Sequence, residues 1–361
     1  MKHLNAYITE YIIKKKLDKP INSEDHYEYT PKTKKELINI IKTLLDKGET
    51  NLNCIDTSEI TDMSFLSSNF DVTNNIDVSK WNVSNVINMH KMFYDYENFD
   101  CDLSNWNVSK VEDMSRMFEN CENFDCDLSN WDVSNVKDMH TMFKGCKKFK
   151  GEGLENWNTS KVLYTNDMFN NCLIFNCDLS NWNISKVTHT ERMFYNCTNF
   201  NCDLSSWDVH SVMYMNYMFY SCKNFNCDLS NWNVSKVITM NSMFCNCINF
   251  TGKGLENWDV SKVEDIISMF KDCKNFNCDL SNWDVSNVNN MDFMFYSCEN
   301  FNCDLSSWDV SNVKNMICMF KFCKNFTGEG LENWNISNVT HMNDIFGKCT
   351  LLKNKPNWYK E

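Results

Sequence analysis

From Phe99 to Ser104 apolar and polar positions alternate, with Phe99, Cys101 and Leu103 set against Asp100, Asp102 and Ser104. A period of two predicts a short strand with one buried face. Beyond Trp106 the period lengthens. Val111, Met114, Met117, Phe118 and Cys121 fall on one side of a helical wheel, and Glu112, Asp113, Ser115, Arg116, Glu119 and Asn120 on the other. Ser109 stands where a helix N-cap belongs, and Glu112 three residues on completes a capping box. The pattern predicts a strand, a turn holding the tryptophan and a short helix.

The same unit returns along the chain. Tryptophans occur at 81, 106, 131, 157, 182, 207, 232, 258, 283, 308 and 334, at intervals of 25 or 26 residues. Each is followed twelve residues later by a phenylalanine, from Phe93 to Phe346. A degenerate earlier copy opens at Ile55, where IDTSEITDM aligns with WNVSNVINM. A unit this small cannot bury its apolar face alone, so copies must stack. The expected fold is a right-handed α/β repeat solenoid, leucine-rich-repeat-like, of about twelve coils, each a short parallel strand, a turn and a short helix. At ~4.8 Å per coil the stack spans roughly 55 Å, with the strands on a concave face. An all-β solenoid is the alternative.

The ends depart from the repeat. Residues 1–32 read as an amphipathic helix (Leu4, Tyr7, Ile8, Tyr11 and Ile12 on one face) and a polar linker holding Pro20 and Pro31, a candidate docking segment. Residues 33–54 read as a capping helix, opened by Thr33 and Glu36, carrying Leu37, Ile40, Ile41, Leu44 and Leu45, and ended by Gly48. The solenoid then covers 55–349. Residues 350–361 close it, with Leu352 and Trp358 against the last coil.

Charge narrows the partners. A net charge of -13 argues against nucleic acid or an anionic membrane and favours a basic or neutral partner. No run of 18 apolar residues predicts a membrane span, and the N-terminus lacks the apolar core of a signal peptide. A cytoplasmic or virion-associated location is expected ahead of secretion.

The unit W-[DN]-V-S-[NK]-V-x-x-M-x-x-M-F-x-x-C-x-x-F resembles the repeat of the BspA-like surface-protein family, a relative of leucine-rich repeats found in mycoplasma and gut-bacterial surface proteins, viruses and phages. The resemblance covers residues 55–349. It implies an adhesion or interaction protein and supplies no catalytic motif. The expectation is a non-enzymatic protein- or glycan-binding repeat scaffold, without cofactor. A structural or assembly component of a virion or surface layer is the alternative.

Two polar features need an account. Of twenty cysteines, ten occupy the last inward position of the unit, from Cys121 to Cys349, and seven the middle strand position, from Cys101 to Cys303. They read as small buried hydrophobes, with a disulfide ladder and zinc as alternatives. The second feature is an aspartate column: Asp102, Asp127, Asp178, Asp203, Asp228, Asp279 and Asp304. These side chains either accept local backbone hydrogen bonds, form an acidic stripe for a partner, or bind calcium. The column is interrupted at three 26-residue coils, which read FKGEGLENW, FTGKGLENW and FTGEGLENW. The Asn or Asp after each Trp (Asn82, Asn107, Asp132) reads as a turn residue bonded to backbone. His90 and His140 share an outward position two coils apart, and no catalytic constellation accompanies them.

The buried-cysteine reading predicts reduced thiols. Counting with a thiol reagent should find most of them reactive only after denaturation; no free thiols even in the unfolded chain would mean disulfides instead.

Overall fold

The computed structural model describes residues 27–360. The proposed helix at residues 4–17 lies outside them. Helix α1, Lys34–Leu45, is capped by Thr33, whose hydroxyl accepts the Glu36 N–H. Leu37, Ile40, Ile41 and Leu44 are buried, and Lys34 Nζ reaches Asp62 (3.2 Å) and Ser64 (2.7 Å) in the first coil. Beyond α1 the chain is a stack of irregular coils joined by isolated parallel bridges, which run without a break from Asp62 through Asn88, Asp113 and onward to His341.

Inside each coil the organising unit is a pentapeptide. Asp102–Trp106, Asn107–Val111 and Asp113–Met117 all read acidic-or-amide, apolar, Ser, any residue, apolar. The first side chain accepts the N–H of the third residue (2.9, 3.1 and 2.9 Å). The fifth N–H returns to the second carbonyl: Trp106 to Leu103, Val111 to Val108, Met117 to Met114. These are Asx turns feeding β-turns, and they send the second and fifth side chains inward. Two further turns, Phe118–Cys121 and Cys121–Phe124, close the coil.

The structure corrects the expected helix at Val111–Cys121. Arg116 and Asn120 have φ of 57° and 64°, the left-handed region, and the equivalent residues of the other coils repeat this. Left-handed residues four apart are incompatible with an α-helix. Instead the N–H groups of Met114, Arg116, Phe118 and Asn120 bond the carbonyls of Asp138, His140, Met142 and Lys144 in the next coil, at 2.7–3.0 Å. The inter-coil ladder therefore lies on the arc expected to be helical. No bridge falls in 99–104, the expected strand. Ser109 is not an N-cap; its N–H and hydroxyl both bond Asn107 Oδ1.

The core is columnar. Phe118 and Phe143 stack at 5.7 Å between coils, and Phe118 and Phe124 at 4.1 Å within one. Trp131 and Trp157 lie 1° from parallel at 6.4 Å. Each core tryptophan keeps its indole N–H satisfied by a carbonyl of the preceding coil, as Trp207 does on Leu179 (2.9 Å). Trp358 continues the column, 6.4 Å from Trp334, and bonds Leu331.

The 26-residue coils solve a local problem. In ordinary coils the Leu N–H at the aspartate turn is met by a thiol of the next coil, as Leu103 by Cys126 Sγ (3.2 Å). Where Gly151 replaces that cysteine, the Glu152 carbonyl takes the Leu128 N–H (3.0 Å). Gly153 makes this bend at φ 92°, where an added Cβ would lie 2.1 Å from the Ser129 nitrogen. Only glycine fits there.

The left-handed column yields a test. Asp272 has φ 61°. Asp272→Gly should shift the urea midpoint little, whereas Asp272→Val should cost about 1–3 kcal/mol. In a helix the order would reverse, because glycine is the poorer helix former.

Candidate interaction surface

Each of the seven aspartates singled out in the sequence accepts the N–H of the serine two residues on, at 2.8–3.0 Å. All are exposed except the half-buried Asp228. Hydrogen bonds from Ser104 and Ser205 hold the Asp102 and Asp203 carboxyls below the usual carboxylate range, and the Ser281 N–H does the same for Asp279. For Asp228 the Lys253 ammonium, 2.9 Å away, acts first and Ser230 second, lowering it to about 2. The column is longer than the sequence suggested. Asp77 begins it, bonding Ser79. In two of the 26-residue coils a glutamate fills the gap. Cys177 Sγ lies 3.8 Å from Glu155 Oε2 and Cys278 Sγ 3.7 Å from Glu256 Oε2, as Cys126 lies 3.9 Å from Asp102. The aspartate turn itself is missing at those coils, where Gly153 and Gly254 hold its first position.

The thiols have bonding roles beyond filling space. The ten at the closing turn donate to a phenylalanine carbonyl of the preceding coil at 2.8–3.1 Å, Cys121 on Phe93 being the first. Burial pushes the Cys126, Cys227 and Cys303 thiols up to about 11, which disfavours the reactive thiolate. All twenty are unpaired.

His90 and His140 are closer than their sequence separation suggested. Their rings approach to 6.5 Å across Ser115, whose hydroxyl lies 2.6 Å from His90 Nδ1, while His140 Nδ1 lies 2.7 Å from Asp138. Among the described residues no three His, Cys, Asp or Glu side chains could hold a metal ion.

The outward positions divide into two kinds. Those at Asp102, Ser104, Asn107 and Ser109 keep nearly the same residues from coil to coil, and the turns use them. Those between the fixed residues of V-x-x-M-x-x-M-F-x-x-C diverge. The position of Asp113 is filled by Tyr164, His189 and Tyr214 in successive coils, and that of Glu119 by Lys144, Tyr195 and Tyr220 elsewhere. These positions line the outer side of the ladder arc, most of them half-buried or exposed. Their spacing imitates the polar face of a helix. Their divergence within an otherwise fixed motif was the available signal.

The architecture is that of a parallel repeat solenoid. Three overlapping matches, over residues 37–154, 146–253 and 240–358, place it in a family: the chain belongs to the Mycoplasma proteins of unknown function, DUF285. No curated protein matches it. Among solved structures, a TLR13–ssRNA13 complex is similar at 12% identity and a TM-score of 0.24, over 85% of this chain and 55% of that one. The functional domain of InlJ from Listeria monocytogenes, which includes a cysteine ladder, is similar at 12% identity and a TM-score of 0.20, over 78% and 62%. The chain spans less than two thirds of either. Among the described residues no helix is long and apolar enough to cross a membrane.

The lowered aspartates give a pH test with a defined sign. A carboxyl whose folded pKa lies below its unfolded value of ~3.9 stabilises the fold above that value and loses the contribution as pH falls. For Asp228 the loss runs from roughly pH 4 to about 2. Asp203→Asn/Asp228→Asn/Asp279→Asn should keep the turns, since Asn107 and Asn183 make them elsewhere. Its melting temperature should lie slightly below wild type at pH 7, where the charge contribution is lost, and fall less steeply on acidification. The matching triple alanine variant should lose about 0.5–1.5 kcal/mol per site.

Proposed function

We propose that this chain is a non-enzymatic binding scaffold whose partner, a protein or glycan, rests on the solvent side of the ladder arc. The observation that carries this reading is the division of outward positions. Residues needed for turns are fixed and occupied, whereas the diverging ones gather over the inter-coil ladder. Solenoids offer extended surfaces of this kind. Half-exposed tyrosines such as Tyr195 and Tyr220, stacked at 4.6 Å, supply side chains enriched at protein-binding hot spots. The BspA-like resemblance of the repeat fits an adhesion role. The aspartate column is assigned to the fold, because the seven aspartates singled out in the sequence already accept turn N–H groups.

Affinity capture with the full chain separates the surfaces. A partner held by wild type should be lost with Tyr195→Ser/Tyr220→Ser and retained with the triple Asp-to-Asn variant. The reverse result would return the site to the acidic column. Loss on deleting residues 1–32, with the tyrosine variant still binding, would move it to the N-terminal segment.

A further inference from the structure

Aromatic rings recur along the ladder face, and many carry a cation supplied by the chain itself. Lys91 Nζ lies 5.5 Å from the centre of Phe65 and 4.6 Å from that of Tyr94. Arg192 lies 5.2 Å over Tyr217. Lys271 serves Phe293 and Tyr296 at 5.6 and 5.3 Å, and Lys321 serves Phe322 at 5.3 Å. This surface is built to hold cations against rings.

One row differs. Tyr164, His189 and Tyr214 follow one another across three coils, with ring centres 5.9 and 5.0 Å apart. Among the described residues no lysine or arginine lies over them. Beside the row stands Glu191, two residues after His189; in the equivalent turn the first and third side chains, Asp113 and Ser115, point the same way and bond at 2.5 Å. Its carboxylate oxygen Oε2 is buried and has no hydrogen-bond partner. Burial, foremost, raises this carboxyl above its ordinary value. The adjacent Arg192 is occupied by Tyr217. The neighbouring coil adds Asp167, whose Oδ1 accepts the Asn170 amide.

These coils also give up a fold interaction. At the position of Tyr164 and His189, other coils carry Asp113, Asp138 or Asn290, which accept the N–H two residues on. A tyrosine cannot replace that carboxylate. The methionine that follows has become Thr165 or Thr190, whose hydroxyls bond the next coil's carbonyl.

We infer that the Tyr164–His189–Tyr214 row, with Glu191 beside it, docks a lysine- or arginine-bearing segment of a basic protein partner. The proposal rests on the ladder face being the binding surface. A cationic side chain would lie over the rings as the chain's own cations do on theirs, in the field of the Glu191 carboxylate. A neutral glycan could use the rings but would gain nothing from that charge. The chain's net charge of -13 draws such a partner in.

Isothermal titration of the full chain with an octalysine peptide tests this, with cellohexaose as the neutral-glycan probe. Octalysine should bind. Glu191→Gln and Tyr214→Ala should each weaken it about tenfold, while Asp279→Asn/Asp304→Asn, which removes two charges elsewhere, should change it less than about twofold. Glu191→Gln keeps the side chain's shape, so its thermal melt should stay at or above wild type and separate lost binding from lost folding. Equal weakening by all variants would mean diffuse acidity and overturn the site. So would cellohexaose binding that depends on Tyr214 without octalysine binding, or no binding of either probe. If octalysine fails while capture still depends on Tyr195 and Tyr220, this inference falls and the binding-scaffold reading stands.

Discussion

A coil of about 25 residues with no helix in it cannot satisfy its own buried backbone. Every second N–H from Met114 to Asn120 must look to the next coil for an acceptor, and unmet buried donors are costly. Much else in the repeat answers that constraint. The closing thiols donate to phenylalanine carbonyls, the indoles donate to carbonyls at the aspartate turn, and cysteine sulfur or a glycine-bent carbonyl accepts the leucine N–H. Cysteine suits both columns because it is small, apolar enough to bury, and still able to give or receive a weak hydrogen bond.

The periodic features of this fold were legible in the sequence because they depend on side-chain type alone. Spacing revealed the stack, the Trp, Met and Phe columns, the capping role of Thr33 and the turn role of Asn107. The coil's internal path was misread. Inward residues at 111, 114, 117, 118 and 121 arise here from consecutive three-residue turns, and that spacing imitates one face of a 3.6-residue helix. A contrary signal lay in the position of Asn120, held by Gly145, Asn171, Asn196, Asn246 and Asp272, the residue types that most readily adopt positive φ.

The candidate site was less legible. A regular row of aspartates suggests charge put to use, but Asn107 and Asp132 show that the turn needs an acceptor oxygen and is indifferent to its charge. The residues that distinguish one coil from the next looked like unremarkable helix surface until the ladder placed them side by side. Tyr164, His189 and Tyr214 are 25 residues apart in sequence and in ring contact in space.

The direction of the ladder has a mechanical consequence. Its hydrogen bonds run along the stacking axis, and each coil is bonded mainly to its immediate neighbours. Tension between the two ends would load those bonds one rung at a time, so an end coil peels away while the rest stay closed. Each released coil of 25 residues frees about 85 Å of extended chain. Under load the stack would lengthen in steps and absorb work at each one, as an extensible tether rather than a rigid rod.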